Sequence, residues 1–122
     1  MKIMIVDDAI FMRHMLSGIF EKAGHSVCGM AASGSEAIER FAELKPDLIT
    51  MDIIMPDMNG VVALKEIKKI DPEVNVLIIS ALGHKSLISE AVKAGASAYV
   101  IKPFKPEQIL EAVEQLNGHC DA

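Results

Sequence analysis

The hydrophobic positions of this chain follow two different periods. Short, mostly apolar runs, which are typical of buried strands, occupy residues 3–6, 27–30, 48–51, 74–79 and 97–101. Each run precedes a longer stretch in which apolar residues recur every three or four positions, as on one face of a helix. In the first of these stretches Phe11, Met15 and Phe20 are among the residues with helical spacing. The pattern therefore predicts five strand–helix units in regular alternation.

Capping and helix-breaking residues mark the ends of the predicted helices. Gly24 follows the first helix as a typical C-terminal stop, and the segment from Ser33 to Glu36 matches a capping box before the second. Pro106 suits the start of the fifth helix, and Asn117-Gly118 is expected to end it. No linker, low-complexity tract or second domain is evident. We therefore expect residues 1–119 to form one domain and residues 120–122 to fray.

The alternation of strands and helices indicates the fold class. It implies an α/β protein in which a parallel sheet is covered by helices on both faces. The run Ile3–Val6, apolar on both faces, suits such a sheet. Right-handed crossovers favour a flavodoxin-like, doubly wound (βα)5 sheet with strand order 2-1-3-4-5, although periodicity alone does not fix that order.

Composition and charge exclude several classes of protein. Hydrophobic residues make up 51% of the 122 positions and charged residues 24%, which is typical of a globular domain. The net charge of −5 argues against a nucleic-acid interface, which needs clustered lysine and arginine. The absence of tryptophan and the low aromatic content argue against base stacking.

The cysteines and the apolar runs indicate the cellular compartment. Cys28 and Cys120 have no metal-binding spacing; the sequence does not exclude a disulfide between them, but we expect free thiols in a reducing cytoplasm. No apolar run approaches the roughly 18–20 residues of a membrane span. The first strand begins after Met1 and Lys2, too abruptly for a signal peptide. These features predict a cytoplasmic protein that does not interact with membranes.

Polar residues follow the predicted strands at the point where each strand ends. Asp7 and Asp8 follow the first strand, Asp52 the third, Ser80 the fourth and Lys102 the fifth. The carboxyl ends of parallel strands meet at one edge of the sheet, and ligands bind there at the crevice where the strand order reverses. We therefore expect these side chains to converge on one site.

The converging residues suggest a chemistry. Carboxylates in one small site repel each other, and a divalent cation removes that repulsion. Oxygen ligands without histidine or cysteine favour Mg²⁺, or Mn²⁺, over zinc. A carboxylate can attack phosphorus to give an acyl phosphate, while Lys102 and the cation neutralise the transferring group and Ser80 donates a hydrogen bond to it. Asp52 best fits the nucleophile because it stands alone before a Gly/Pro-containing loop, and Asp7 and Asp8 best fit the metal.

Several motifs together carry a resemblance to a known family. In chain order they are Val6-Asp7-Asp8, the segment from Met51 to Gly60, Ser80-Ala81, Tyr99 and Lys102-Pro103-Phe104. Together they resemble the receiver domain of bacterial and archaeal two-component response regulators, over the whole chain. The stand-alone length and the segment from Asp7 to Arg13 resemble the chemotaxis (CheY-like) type most.

The resemblance implies a role for each acidic residue. Asp52 would accept a phosphoryl group from a histidine kinase. Asp8 and Asp52 would bind Mg²⁺ through their side chains, and Asp7 mostly through water. Ile54 would offer its backbone carbonyl to the same ion.

The resemblance also implies a switch. Lys102 would pair with the phosphoryl group, and the Lys102–Pro103 peptide bond would be cis. Ser80 would swing towards the phosphoryl group while Tyr99 moves inward. The face made by the fourth helix, the fifth strand and the fifth helix would then change its affinity for a partner.

The family also implies which proteins this chain would meet. It would be a monomeric signalling phosphoacceptor that catalyses only its own phosphorylation and dephosphorylation. With no effector domain, its output would pass through contact with a protein such as a flagellar motor switch component, and a phosphatase is a possible further partner.

Other functions stay open on the sequence. A phosphorelay intermediate outside chemotaxis is one alternative. A Mg²⁺-dependent phosphohydrolase that uses an aspartyl phosphate is another, but it would usually need an acid/base carboxylate where Ile54 stands, and a cap. An FMN carrier of the same topology would need a phosphate loop where Asp7 and Asp8 would repel a phosphate.

The chain departs from the family pattern in a few positions. Many members carry polar residues two positions after the phosphorylated Asp and two after the Ser/Thr, where this chain has Ile54 and Leu82. We expect these apolar side chains to hinder the hydrolytic water and slow loss of the phosphoryl group. Ser80 replaces the commoner threonine and keeps the hydroxyl. The histidines, which show no ligand spacing and are expected at the surface, are His14, His25, His84 and His119.

Overall fold

The computed structural model describes residues 1–81 and 83–119, with side chains described as far as Leu116. Five strands alternate with five helices within these ranges. The strands are β1 (Lys2–Val6), β2 (Ser26–Ala31), β3 (Leu48–Met51), β4 (Asn75–Ala81) and β5 (Ala98–Lys102). The helices are α1 (Ile10–Lys22), α2 (Gly34–Leu44), α3 (Gly60–Ile70), α4 (Lys85–Lys93) and α5 (Pro106–His119).

The predicted elements are all present, with small differences at their ends. The largest difference among the strands is in β4, which runs through Ser80 to Ala81 instead of stopping before Ser80. The fifth helix continues through Asn117 and Gly118, which were expected to end it, and reaches His119. The predicted frayed tail at residues 120–122 lies outside the described part of the chain.

The five strands form one parallel sheet with the order β2-β1-β3-β4-β5, which confirms the predicted doubly wound topology. The order reverses between β1 and β3, which are hydrogen-bonded neighbours. Their last residues, Val6 and Met51, are paired with each other. The residues that follow, Asp7 and Asp52, therefore leave the sheet side by side at its carboxyl edge.

Two hydrophobic clusters, one on each face of the sheet, explain why the central strands are apolar throughout. Every residue of β3 is buried, as are the last four residues of β1, because helices cover both faces. On one face the sheet packs against α2, α3 and α4, which contribute Phe41, Leu64 and Ile88. On the other face it packs against α1 and α5, which contribute Phe20 and Val113. Within the described residues, no helix combines the length and the apolar character needed to cross a lipid bilayer.

Helix α1 is less buried than its apolar periodicity suggests. Leu16 and Phe20 face the sheet and are at most 1% exposed, whereas Phe11 is 68% exposed and Met15 is 37% exposed. The helix contacts β1, β2 and α5, which cover only part of its circumference. The apolar stripe is therefore wider than the surface available to bury it, and its outer edge faces solvent next to the β1–α1 loop.

Gly60, the first residue of α3, lies against the backbone that follows β3. Its N–H donates a hydrogen bond to the Ile53 carbonyl at 2.6 Å. A Cβ atom at this position would clash with the Asp52 carbonyl oxygen and would lie 2.9 Å from the Ile53 Cα. The helix can approach the end of β3 this closely only because residue 60 has no side chain.

We expect Gly60→Ala to lower the free energy of unfolding by about 1–3 kcal/mol, because the added methyl group forces the backbone at Asp52 and Ile53 to move. Gly18→Ala is the matched control. Gly18 lies inside α1, and an added Cβ would meet no atom within 4 Å, so alanine there should raise the free energy of unfolding by about 0.5–1 kcal/mol. Urea denaturation measures both changes. Equal free energies of unfolding for the two variants would contradict the close approach of Gly60 to the backbone at Asp52 and Ile53.

Candidate metal and phosphoryl-acceptor site

Three carboxylates meet at the carboxyl edge of the sheet. Asp7, Asp8 and Asp52 each offer one carboxylate oxygen, and these oxygens all lie within 4.8 Å of one another. Asp7 and Asp52 are buried, at 2% and 8% exposure, whereas Asp8 is exposed. The cluster is therefore open to solvent on the Asp8 side and closed beneath. The ends of β1 and β3 thus bring these three residues together, at the edge of the sheet where we predicted a shared site.

Lys102, the last residue of β5, reaches across the sheet edge into this cluster. Its Nζ atom lies 3.1 Å from Asp7 Oδ2 and 3.6 Å from Asp52 Oδ2. The lysine side chain is itself only 22% exposed, so water screens these ion pairs weakly. One ammonium group is thus shared by the two buried carboxylates.

The backbone and Arg13 hold Asp7 in a fixed orientation. Asp7 Oδ1 accepts a hydrogen bond from the Ala9 N–H at 2.9 Å, while its other oxygen faces Lys102. The Asp7 carbonyl accepts a hydrogen bond from Arg13 Nη1 at 2.7 Å, and the Asp7 N–H donates to the Ala31 carbonyl at 3.1 Å. Nothing in the spacing of the sequence assigned this role to Arg13.

The electrostatic surroundings of Asp52 oppose its ionisation. Burial raises the pKa of the Asp52 carboxyl above its ordinary value, and the nearby charges of Asp7 and Asp8 raise it further. The Lys102 ammonium and a hydrogen bond from the Ile54 backbone N–H act in the opposite direction and lower the pKa. The net effect is a pKa above the ordinary value, because burial and the neighbouring carboxylates outweigh the ammonium group and the hydrogen bond.

The loop after Asp52 is tied to the start of α2 by Asp57. The Asp57 carboxylate accepts hydrogen bonds from the backbone N–H groups of Gly34 and Ser35, each at 2.9 Å, and from the Ser35 hydroxyl. The hydrogen bonds from Ser35 lower the pKa of Asp57 to about 2. Ile54, earlier in the same loop, is half exposed next to the acidic cluster. Asp57 therefore anchors the loop after β3 to the start of α2, a contact that the sequence pattern did not predict.

Ser80 is fully buried and contacts an unexpected partner. Its Oγ atom lies 2.6 Å from Nδ1 of His84, and the two atoms share a hydrogen bond. The expectation that His84 is a simple surface residue is therefore wrong, because the ring is half buried. Leu82, which was expected to lie near the phosphoryl group, falls outside the described residues.

Tyr99 lies on the outer side of β5, away from the acidic cluster. Its side chain is 53% exposed and borders two grooves. The groove towards α4 has a volume of about 550 Å³ and that towards α5 about 480 Å³. At the end of the same strand, the peptide bond between Lys102 and Pro103 is cis.

The donor set of the cluster fits a hard divalent cation. Its ligand atoms are carboxylate oxygens, which Mg²⁺ prefers, and no sulfur or imidazole nitrogen belongs to the group. The exposed position of Asp8 leaves room for water molecules, which Mg²⁺ keeps when it binds to proteins. The arrangement thus offers oxygen ligands for a cation beside the buried carboxylate of Asp52, in a cluster that is open to solvent at Asp8.

We expect Asp52→Asn to raise the free energy of unfolding at neutral pH when divalent cations are absent. The raised pKa of Asp52 means that its ionised form is less favourable in the folded protein than in the unfolded chain. This unfavourable contribution disappears as the pH falls through the raised pKa towards the ordinary value of about 3.9. Urea unfolding at a series of pH values should show a stabilising effect that shrinks on acidification.

Asp57→Asn is the control with the opposite sign. Because the pKa of Asp57 is lowered to about 2, its ionised form stabilises the folded state above the ordinary pKa, and that contribution is lost as the pH falls through the lowered value. This variant should be destabilised at neutral pH. An Asp52→Asn variant that behaves in the same way would contradict the electrostatic description of the site.

Comparisons with known proteins agree with this geometry. Residues 3–114 match the response regulator receiver domain family. The chemotaxis protein CheY of Thermotoga maritima is 50% identical over 116 residues, which cover 95% of this chain and 97% of that protein. The chemotaxis protein CheY of Bacillus subtilis is 46% identical over 114 residues, which cover 93% of this chain and 95% of that protein.

A solved structure shares the fold as well as the sequence pattern. A chain in the crystal structure of the CheX-CheY-BeF3-Mg²⁺ complex from Borrelia burgdorferi matches with a TM-score of 0.90 and 32% identity. The match covers 94% of this chain and 87% of that one. The family match and these relatives, together with the acidic cluster at the carboxyl edge of a 2-1-3-4-5 sheet, show that the chain belongs to the response regulator receiver domain family.

Proposed function

We propose that this protein is a two-component response regulator that accepts a phosphoryl group from a histidine kinase on Asp52. The observation that carries the proposal is the convergence of Asp7, Asp8 and Asp52 with Lys102 at one edge of the sheet. Asp52 is the acceptor because it follows the central strand β3, contacts the lysine, and precedes the loop that is open to solvent at Ile54.

The proposed reaction moves a phosphoryl group from nitrogen to oxygen. One Asp52 carboxylate oxygen forms a bond to phosphorus while the phosphorus–nitrogen bond of the donor phosphohistidine breaks. The electron pair of that bond returns to the imidazole nitrogen, which then takes up a proton. The Lys102 ammonium faces the new acyl phosphate and balances part of its charge.

In this proposal the acidic cluster holds Mg²⁺, with Mn²⁺ as an alternative. Asp8 and Asp52 would hold it through their side chains, Ile54 through its backbone carbonyl, and Asp7 mostly through water. The oxygen donors and the exposed side of the cluster support this assignment. The bound cation would supply positive charge to the oxygens of the transferring group.

Loss of the phosphoryl group completes the cycle. A water molecule attacks phosphorus, the bond to Asp52 breaks, and inorganic phosphate leaves while the carboxylate is restored. The apolar side chains at Ile54, which is half exposed, and at Leu82 would hinder this water and slow the reaction. The protein is then a signalling phosphoacceptor, not an enzyme with turnover, and a separate phosphatase would shorten its signal.

The output surface in this proposal is made by α4, β5 and α5. Ser80 moves towards the phosphoryl group, Tyr99 moves inward, and the grooves on either side of Tyr99 change shape. The names of the Thermotoga and Bacillus relatives support a role in chemotaxis. A flagellar motor switch component would be the output partner in such a role. The protein would act as a cytoplasmic monomer.

We expect the wild-type protein to gain one phosphoryl group when it is incubated with Mg²⁺ and a phosphorylated histidine kinase, and Asp52→Ala to gain none. Asp47→Asn is the matched control, because Asp47 lies at the opposite end of β3 and accepts a hydrogen bond from the Lys2 N–H. Intact-protein mass spectrometry measures the transfer.

Two outcomes would overturn the proposal. Labelling that survives in Asp52→Ala would show that the acceptor is a different residue. Sustained release of phosphate from a generic phosphate ester with Mg²⁺ would instead identify a phosphohydrolase.

A further inference from the structure

The hydroxyl of Ser80 is held on one particular side of the sheet. Ser80 follows Ile78 and Val76 in the alternation of β4, and both of these residues pack in the cluster covered by α2, α3 and α4. Lys102 follows Val100 in β5, which packs in the cluster on the opposite face. In the observed structure the hydroxyl therefore lies on the α4 side of the sheet.

His84 is the residue that holds this hydroxyl. It is the N-cap residue of α4, and its carbonyl accepts the helical hydrogen bond of the Ile88 N–H at 2.9 Å. Its side chain makes no capping hydrogen bond to its own helix. The ring is directed to the strand instead, where Nδ1 lies 2.6 Å from Ser80 Oγ. This contact joins the end of β4 to the first turn of α4.

The strand register places Ser80 close to the acceptor. Met51 pairs with Ile78, so Asp52 lies level with Ile79, and Ser80 is one position further along the neighbouring strand. Rotation of the Ser80 side chain can carry its hydroxyl towards the space above Asp52. The same rotation removes Oγ from His84 Nδ1, whichever of the two atoms donates the proton.

We propose that His84 is a positioning residue that restrains the Ser80 hydroxyl in the resting protein and links its release to the start of α4. This inference rests on the proposed function, since it assumes that a phosphoryl group on Asp52 attracts Ser80. The hydrogen bond to His84 competes with the hydrogen bond to the phosphoryl group. The restraint therefore favours the resting state until Asp52 is phosphorylated. Because His84 is the N-cap residue of α4, loss of the hydrogen bond directly affects the α4 side of the output surface.

Beryllofluoride, a stable analogue of the phosphoryl group, tests this restraint in the presence of Mg²⁺. We expect His84→Ala to bind it about two- to tenfold more tightly than the wild-type protein, because one hydrogen bond no longer opposes the movement of Ser80. His84→Asn is the conservative variant, since its amide can replace the ring Nδ1, and it should remain close to wild type. In a Ser80→Ala background, His84→Ala should have no effect on affinity.

The ring of His84 provides a second measurement that needs no substitution at this residue. Its ¹⁵Nδ1 resonance should move when beryllofluoride is added to the wild-type protein, and it should not respond to beryllofluoride in Ser80→Ala. Equal affinities of wild type and His84→Ala for beryllofluoride, or a ¹⁵Nδ1 resonance that does not shift when beryllofluoride is added, would overturn the proposed role of His84. Neither result would bear on the proposed function. Failure of the wild-type protein to bind beryllofluoride through Asp52 would overturn both this inference and the proposed function.

Discussion

One ammonium group shared by two buried carboxylates is the interaction on which the rest of the site depends. Lys102 approaches Asp7 to 3.1 Å and Asp52 to 3.6 Å, and Asp8 adds a third carboxylate at the solvent side. Negative charge therefore exceeds positive charge at this edge of the sheet. Burial is the main cause of the raised pKa of Asp52, and the charges of Asp7 and Asp8 add to it. This excess of negative charge attracts a cation and repels a phosphoryl group. We therefore expect a bound cation to be needed before a phosphoryl group is added.

The sheet makes this arrangement possible through its register. Val6 and Met51 are paired at the ends of β1 and β3, so the two buried carboxylates leave the sheet together. The close approach of Gly60 to Asp52 and the hydrogen bonds of Asp57 then hold the following loop. Asp52 is thus positioned by contacts with the backbone that lie below and beside it.

Much of this was predictable from the sequence, because strand order and strand ends determine which residues meet. The convergence of Asp7, Asp8, Asp52 and Lys102 follows from the topology. The contact between Ser80 and His84 does not, since it depends on how the loop before α4 folds back to the strand. The periodicity of α1 likewise could not show how much of the helix would be covered by β1, β2 and α5. The Ser80–His84 contact and the burial of α1 both depend on how separate segments pack in three dimensions.

The affinity for Mg²⁺, measured by isothermal titration calorimetry, tests the central claim most directly. We expect Asp8→Asn to weaken binding about tenfold or more, because it removes one of the proposed ligands. Lys102→Met should strengthen binding, because the ammonium group no longer competes for Asp7 and Asp52. Binding that is unchanged in Asp8→Asn, or weaker in Lys102→Met, would contradict the view that these carboxylates form a cation site partly neutralised by the lysine.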